Sequence, residues 1–190
     1  MPGAFGPPSA ARRIIGVAHR LPAARTGMPS TLWAPWRMTY IAGPHASGCL
    51  FCGIAAEATD KQNLILHRGQ FTFVVMNRYP YNNGHLMIVP YAHRGDLAAL
   101  SDDESLAMMR EAQRATRILR EASRAEGFNL GFNLGQVAGA GIADHVHLHV
   151  VPRWGGDTNF MPALADTKVM PQYLDATYDL LTPYFREPGR

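Results

Sequence analysis

The chain has 190 residues, of which 47% are hydrophobic and 9% aromatic, and a formal net charge of +3. That length fits one domain with a real core, and no apolar run approaches the roughly 20 residues of a membrane helix, so a soluble protein without a membrane partner is expected. The charge points to no nucleic-acid partner: Arg12, Arg13, Arg20 and Arg25 all fall in an acid-free stretch at 1–27, and the bases that remain nearly match the 15 acids.

Residues 1–27 are rich in Pro, Gly, Ala and Arg and read as a disordered or mis-assigned N-terminal tail, with Met28 as an alternative start. A transit peptide is the second reading, because Pro2, Pro7, Pro8 and Pro22 break any amphipathic helix. Residues 28–48, with Trp33 and Trp36 among turn formers, read as an arm docking on the core or on another subunit, and 49–190 as a single domain. Two cysteines, Cys49 and Cys52, do not staple a secreted scaffold, which predicts a reducing, cytoplasmic setting.

Leu64–Leu66 and Phe71–Met76 read as strands around a turn at Arg68-Gly69, with His67 solvated in that turn. Asn77–Gly84 is a polar loop, and His85–Val89 a strand ended by Pro90. Ser101-Asp-Asp-Glu104 has the capping-box pattern and opens a helix over 102–126, with Leu106, Met109, Ala112, Thr116, Leu119 and Ala122 at helical spacing and Gly127 as its stop. Met108 and Met109 are helix-face residues. Phe128–Leu134 reads as a strand, Gly135–Gly141 as a small-residue loop and 144–151 as a last strand. A final helix from Pro171 holds Leu174, Leu180 and Leu181. This order predicts an α+β fold with an antiparallel sheet.

The last strand carries the chemistry. In Asp-His-Val-His-Leu-His-Val-Val-Pro-Arg, His145, His147 and His149 alternate with aliphatic residues, so the imidazoles line one face while Val146, Leu148 and Val150 pack on the other. Histidine acts as nucleophile, proton donor or metal ligand near neutral pH. Alternate strand positions lie roughly 6.5–7 Å apart, so one phosphate chain can meet two imidazoles. The loop before the strand is small enough for its backbone N–H groups to approach phosphate oxygens. A single strand histidine is usually a satisfied structural residue; three with aliphatic spacers point to phosphoryl or nucleotidyl transfer.

His145-Val-His-Leu-His-Val-Val resembles the H-φ-H-φ-H-φ-φ signature of the histidine triad (HIT) superfamily. Asn77-Arg-Tyr-Pro-Tyr-Asn-Asn-Gly-His85 and the following Leu-Met-Ile-Val-Pro90 are similar to the nucleoside-pocket segment of its fragile-histidine-triad branch, and Asn133-Leu-Gly135 to the strand and turn before the triad. The tryptophan arm and Trp154-Gly-Gly are most like the bacterial diadenosine tetraphosphate phosphorylases. The resemblance implies a five-stranded-type antiparallel sheet with one long helix and a C-terminal helix. It implies that His147 attacks an α-phosphorus to give a covalent nucleotidyl-histidine, and that His149 contacts phosphate and assists the leaving group. Gly139, Ala140 and Gly141 would offer backbone donors, Asn77 would hold the ribose, and His85 and Asn133 would lie close by. The intermediate would pass to water or to inorganic phosphate, without an organic cofactor. A homodimer or homotetramer is implied as well. One departure stands out: many relatives carry Gln-Ser or Gly-Ser just before the triad strand, where this chain has Ala140-Gly141, so no hydroxyl is available there.

In zinc-containing branches of the superfamily the ligands are a CxxC pair, a histidine after the following strand and the first triad histidine. The resemblance thus implies a structural Zn²⁺ on Cys49, Cys52, His93 and His145, with His45 as a fallback ligand. Two buried thiols acting as small hydrophobes, beside a surface His93, are the other reading. Trp154 suits equally a base-stacking role and closure of a core edge. Beside dinucleoside polyphosphate cleavage stand a phosphoramidase-like hydrolase of adenosine monophosphate conjugates, a nucleotide-binding regulator favoured by Ala140-Gly141, and a metalloenzyme using all three strand histidines, which CxxC with His93 argues against.

Overall fold

The structure is a computed structural model that describes residues 48–157 and 172–187. The expected tail at 1–27, the arm up to residue 47, His45 and Pro171 lie outside the described residues. In chain order the elements are α1 (Leu50–Ala56), α2 (Asp60–Asn63), β1 (Ile65–Arg68), β2 (Thr72–Met76), β3 (Leu86–Pro90), α3 (Asp102–Ser123), β4 (Gly127–Phe132), β5 (Leu148–Arg153) and α4 (Leu174–Arg186). The strands form one antiparallel sheet in the order β1-β2-β3-β5-β4. The α+β expectation is met.

Every residue of β2 is buried, so Thr-Phe-Val-Val-Met reads as a continuous apolar run rather than an alternating one. On one face α3 lies across β2, β3 and β5, and α4 packs on β1 and α3. Phe73, Ile88, Val150, Ile118, Leu119, Leu181 and Phe185 are at the centre of the resulting core. Burying each such side chain contributes roughly 1.5–3 kcal/mol. Tyr178 of α4 donates its hydroxyl to the Ile65 carbonyl at 3.1 Å, which pairs the helix to β1.

The capping box forms as expected: Glu104 N–H donates to Ser101 Oγ at 3.2 Å and Ser101 N–H to Glu104 Oε2 at 2.8 Å. The helix phase differs from the expected one. Met108, Ala112, Ala115, Ile118 and Leu119 are buried, whereas Leu106 and Met109 are 48% and 51% exposed. Met108 and Met109 are equally apolar, and the small alanines decide which one meets the sheet, because they set where the helix can approach most closely. The end differs too. Arg124 closes α3 in the left-handed conformation, φ 55°, with its N–H on the Leu119 carbonyl, and Gly127 opens β4 opposite Arg153 instead.

Other boundaries shift by a few residues. β1 extends to Arg68, whose side chain donates to the Ala55 carbonyl at 2.7 Å and the Glu57 carbonyl at 2.6 Å. His67, expected in solvent, lies in β1 against α3, with Nε2 3.6 Å from Glu111 Oε1. Burial, then the charge of Arg114, pushes its pKa below the ordinary imidazole value. Pro90 is the last residue of β3, a strand end that needs no donor.

The largest correction concerns the histidine strand. β5 begins at Leu148, not at residue 144. Leu148 is the first residue with partners on both sides, Ile88 and Phe132. Before it, Val146 N–H is drawn to the Arg94 carbonyl at 2.6 Å. Nor do the histidines line an open face: His145, His147 and His149 are all buried, as are Val146, Leu148 and Val150.

A left-handed backbone costs a residue with a Cβ about 1–2 kcal/mol, and the Arg124 side chain lies on the exposed side of α3. Arg124→Gly is therefore expected to stabilise the fold by about 1 kcal/mol, read as a higher urea midpoint at unchanged slope.

Candidate functional site

Two clusters occupy the lead-in to β5. The first gathers residues distant in sequence. Cys49 caps α1 and Cys52 lies three residues on, which puts both thiols on one side of the helix start. Cys49 Sγ is 3.2 Å from His145 Nδ1, Cys52 Sγ is 3.5 Å from His93 Nδ1 and 3.7 Å from His145 Nδ1, and the two Nδ1 atoms are 3.4 Å apart. All four ligand atoms lie within 4.8 Å of one another. A tetrahedral zinc with ordinary bond lengths requires edges of about 3.3 Å between nitrogens and about 3.6 Å between nitrogen and sulfur. The observed spacing fits such an ion. His145 Nε2 donates to the Pro90 carbonyl at 2.8 Å, which leaves the Nδ1 lone pair facing the sulfurs. Burial first, then Cys49, raises the Cys52 thiol above its ordinary pKa, so the pair resists ionising without a cation to balance it.

The second cluster borders a cavity of about 320 Å³. His147 and His149 line it, together with Asn77, Asn133, Gly139 and Gly141. His147 Nδ1 lies 2.9 Å from the His145 carbonyl. A carbonyl only accepts, so Nδ1 carries the proton and Nε2 keeps its lone pair. Burial pushes the pKa of His147 down, against the pull of that carbonyl, and favours the neutral, nucleophilic ring.

His149 is set by a relay. Tyr81 N–H donates to His85 Nδ1 at 3.0 Å, so the neutral His85 ring carries its proton on Nε2. That nitrogen is 2.9 Å from His149 Nδ1 and donates to it. His149 is thereby left with its proton on Nε2, where the Asn133 amide stands 3.5 Å away. His147 thus offers a lone pair and His149 a proton, with ring centroids 4.8 Å apart. Asn77 lies beside His85, its Nδ2 3.4 Å from Nδ1, and its Oδ1 accepts from Tyr79 N–H at 2.9 Å. Gly139 holds φ +84°, a conformation glycine adopts freely, at the end of a short 3-10 turn over Gln136–Ala138.

The structure thus gathers most of the residues singled out from sequence. His85 stands behind His149, and Ala140 lies between the two lining glycines. Trp154 does not reach this cavity. Its indole N–H donates to the Ser123 carbonyl at 3.0 Å and its ring packs on the core, so in the described structure it closes a core edge. Sequence reasoning missed α1 as a cavity wall: Leu50, Phe51 and Ile54 line the cavity, as do Val75, Tyr79 and Tyr81. The apolar spacing of Leu50, Phe51 and Ile54 was the available signal, in a segment short enough to pass for a loop.

A family model described as the HIT domain matches residues 58–156. The chain belongs to the HIT family. It is 44% identical over 167 residues to the AP-4-A phosphorylase of Mycobacterium tuberculosis, covering 83% of this chain and 85% of that one. An uncharacterized HIT-like protein of Saccharolobus solfataricus is 26% identical over 113 residues, 60% of this chain and 79% of that one. Among solved structures, a zinc-bound histidine triad family protein from Mycobacterium smegmatis superposes with a TM-score of 0.59 at 26% identity, covering 73% of this HIT chain and 93% of the other.

The buried neutral His147 ring also has a consequence for stability. Its folded pKa lies below the unfolded value, so the unfolded state binds more protons, and the contribution is full above about pH 6.5 and lost as pH falls below it. His147→Gln is expected to flatten this acid-side slope relative to the parent in urea melts between about pH 7 and pH 5. Parallel slopes would contradict it.

Proposed function

We propose that this HIT-family enzyme cleaves dinucleoside polyphosphates, diadenosine tetraphosphate above all, through a nucleotidyl intermediate on His147. The observation that carries this reading is the protonation pattern of the two cavity histidines: a free Nε2 lone pair on His147 beside an Nε2–H on His149. The base would lie against the apolar wall of Leu50, Phe51, Ile54 and Val75, and Asn77 would hold the ribose. His147 Nε2 attacks the α-phosphorus as the bond to the bridging oxygen breaks, and His149 donates its Nε2–H in a hydrogen bond to that oxygen as it leaves with ATP, the proton staying on the ring. Backbone N–H groups at Gly139, Ala140 and Gly141 would steady the charge gathering on the α-phosphate oxygens. An oxygen of inorganic phosphate then attacks the same phosphorus and releases ADP, whereas water would release AMP. The name of the M. tuberculosis relative favours phosphate.

We further propose that Cys49, Cys52, His93 and His145 hold a structural Zn²⁺. Support comes from the tetrahedral spacing and from the zinc-bound M. smegmatis neighbour. The ion would tie α1 to the lead-in of β5 and take no part in the transfer. The enzyme is proposed to act in the cytoplasm as a homodimer or homotetramer. The exposed Leu130 on the edge strand β4 suits a homotypic contact, and no described helix is long and apolar enough to cross a membrane.

Incubation with diadenosine tetraphosphate is expected to yield ADP and ATP when phosphate is present. AMP and ATP regardless of phosphate would make the enzyme a hydrolase, and tight binding without turnover would leave a nucleotide-binding regulator. His147→Ala is expected to lose about a thousandfold or more in kcat while still binding nucleotide; retained turnover would remove the nucleophile assignment. Metal analysis of the purified protein should give about one zinc per chain, lost in Cys49→Ser. Equal zinc in both proteins would refute the site.

A further inference from the structure

The short helix α1 belongs to both clusters. Cys49 caps it and Cys52 lies in its first turn, and between them Phe51 is 1% exposed. The Phe51 ring stands 5.4 Å from the His145 ring at 73° and 5.0 Å from the His147 ring at 56°. One side chain, carried between two candidate ligands, therefore touches a third ligand and the proposed nucleophile.

His147 depends on that contact. Its Nδ1 bond to the His145 carbonyl fixes one nitrogen. The rest of the ring is held by its neighbours, Phe51 at 5.0 Å and His149 at 4.8 Å. Phe51 in turn depends on where α1 lies. A seven-residue helix has little stability of its own. Its C-terminal end is fastened by Arg68, which donates to the Ala55 and Glu57 carbonyls. Among the described residues its N-terminal end is tied by the cysteines, which face His93 and His145, and by the packing of Phe51 edge-on to Phe73 at 6.5 Å.

We propose that Phe51 is a positioning residue that links occupation of the Cys49–Cys52–His93–His145 site to the ring orientation of His147. With the four ligands gathered on an ion, the first turn of α1 is fixed and Phe51 is seated. His147 then keeps Nδ1 on the carbonyl and Nε2 toward the cavity. Without the ion the first turn keeps only its apolar packing on Phe73, and the wall beside the ring loosens.

The linkage rests on the nucleophile reading only for its effect on turnover, so the test reads the ring directly. In the full chain, nitrogen-15 spectra of the histidine rings report which nitrogen of His147 is protonated and how fast that proton exchanges. Zinc-loaded parent is expected to show one ring form with a protected Nδ1 proton. Removing zinc with a chelator should speed its exchange by about tenfold or more. Phe51→Ala should do the same with zinc still bound at parental stoichiometry, and removing zinc from that variant should then add less than about twofold. Phe51→Leu keeps most of the volume and allows the same comparison if the alanine variant does not fold. In both zinc-loaded variants kcat should fall with the loss of ring order, about tenfold for alanine. Unchanged exchange after either single perturbation, or effects that simply multiply, would overturn the linkage. An active His147→Ala would instead remove the nucleophile reading and leave the ring comparison to decide this one.

Discussion

The hydrogen bond from His147 Nδ1 to the carbonyl of His145 is the constraint on which the cavity depends. It selects the tautomer that leaves Nε2 unprotonated, and it links the ring to the residue whose own Nδ1 faces the two cysteines. That bond needs a carbonyl which the sheet does not use. In a regular ladder beginning at residue 144 this carbonyl would compete with a neighbouring strand for its donor. The ladder begins instead at Leu148, so the His145 carbonyl is left to accept from a side chain. The irregular start of β5 is what makes the histidine chemistry possible.

Burying three imidazoles is costly unless each finds a partner. His145 donates to Pro90, His147 to the backbone beside it, and His149 accepts from His85. Each partner is different, so each ring acquires a different protonation pattern from the same residue type. The order of the relay from Tyr81 N–H through His85 to His149 makes the last ring a donor, and the carbonyl makes the middle ring an acceptor at its free nitrogen. The proposed transfer, with a phosphorus atom to attack and a phosphate oxygen to steady, would call on that opposite pair.

The triad and the CxxC pair are legible because each has residue types that physics tolerates only in company, whereas the segment at 77–90 and His93 as a candidate ligand came through the family resemblance. Three alternating histidines, a CxxC and a capping box are spacing signals, and spacing is what a sequence preserves. What escaped it depends on tertiary contact. The phase of α3 turned on whether Met108 or Met109 faced the sheet, which two adjacent methionines cannot reveal. Arg124 in a left-handed cap breaks the expectation that glycine ends a helix, because the convergence of Arg124 and Ala125 N–H groups on the Leu119 carbonyl compensates the backbone cost. His67 read as solvated because nothing local shows that Glu111 of α3 will reach it. Trp154 was balanced between two roles, and only the Ser123 carbonyl distinguishes them. Phe51 went unnoticed for the same reason: the spacing of Leu50, Phe51 and Ile54 marks an apolar helix face but not what it meets, and the partners of Phe51 lie 94 and 96 positions away.

Under the proposed function, the missing hydroxyl before β5 would shift where phosphate specificity resides. At Ala140-Gly141 the donors are backbone N–H groups, whose direction is set by φ and ψ alone. The positive φ of Gly139 therefore matters more here than in a loop with a serine side chain able to adjust. On the proposed reading His149 would carry more of the binding, because its Nε2–H is a side-chain donor set by a buried relay rather than by a mobile rotamer. Such a donor cannot swing to follow a misplaced substrate, so under the proposed function the cavity would select phosphate chains that already lie along the line from His147 to the loop. Rigidity in the relay thus stands in for the contact that the loop gave up.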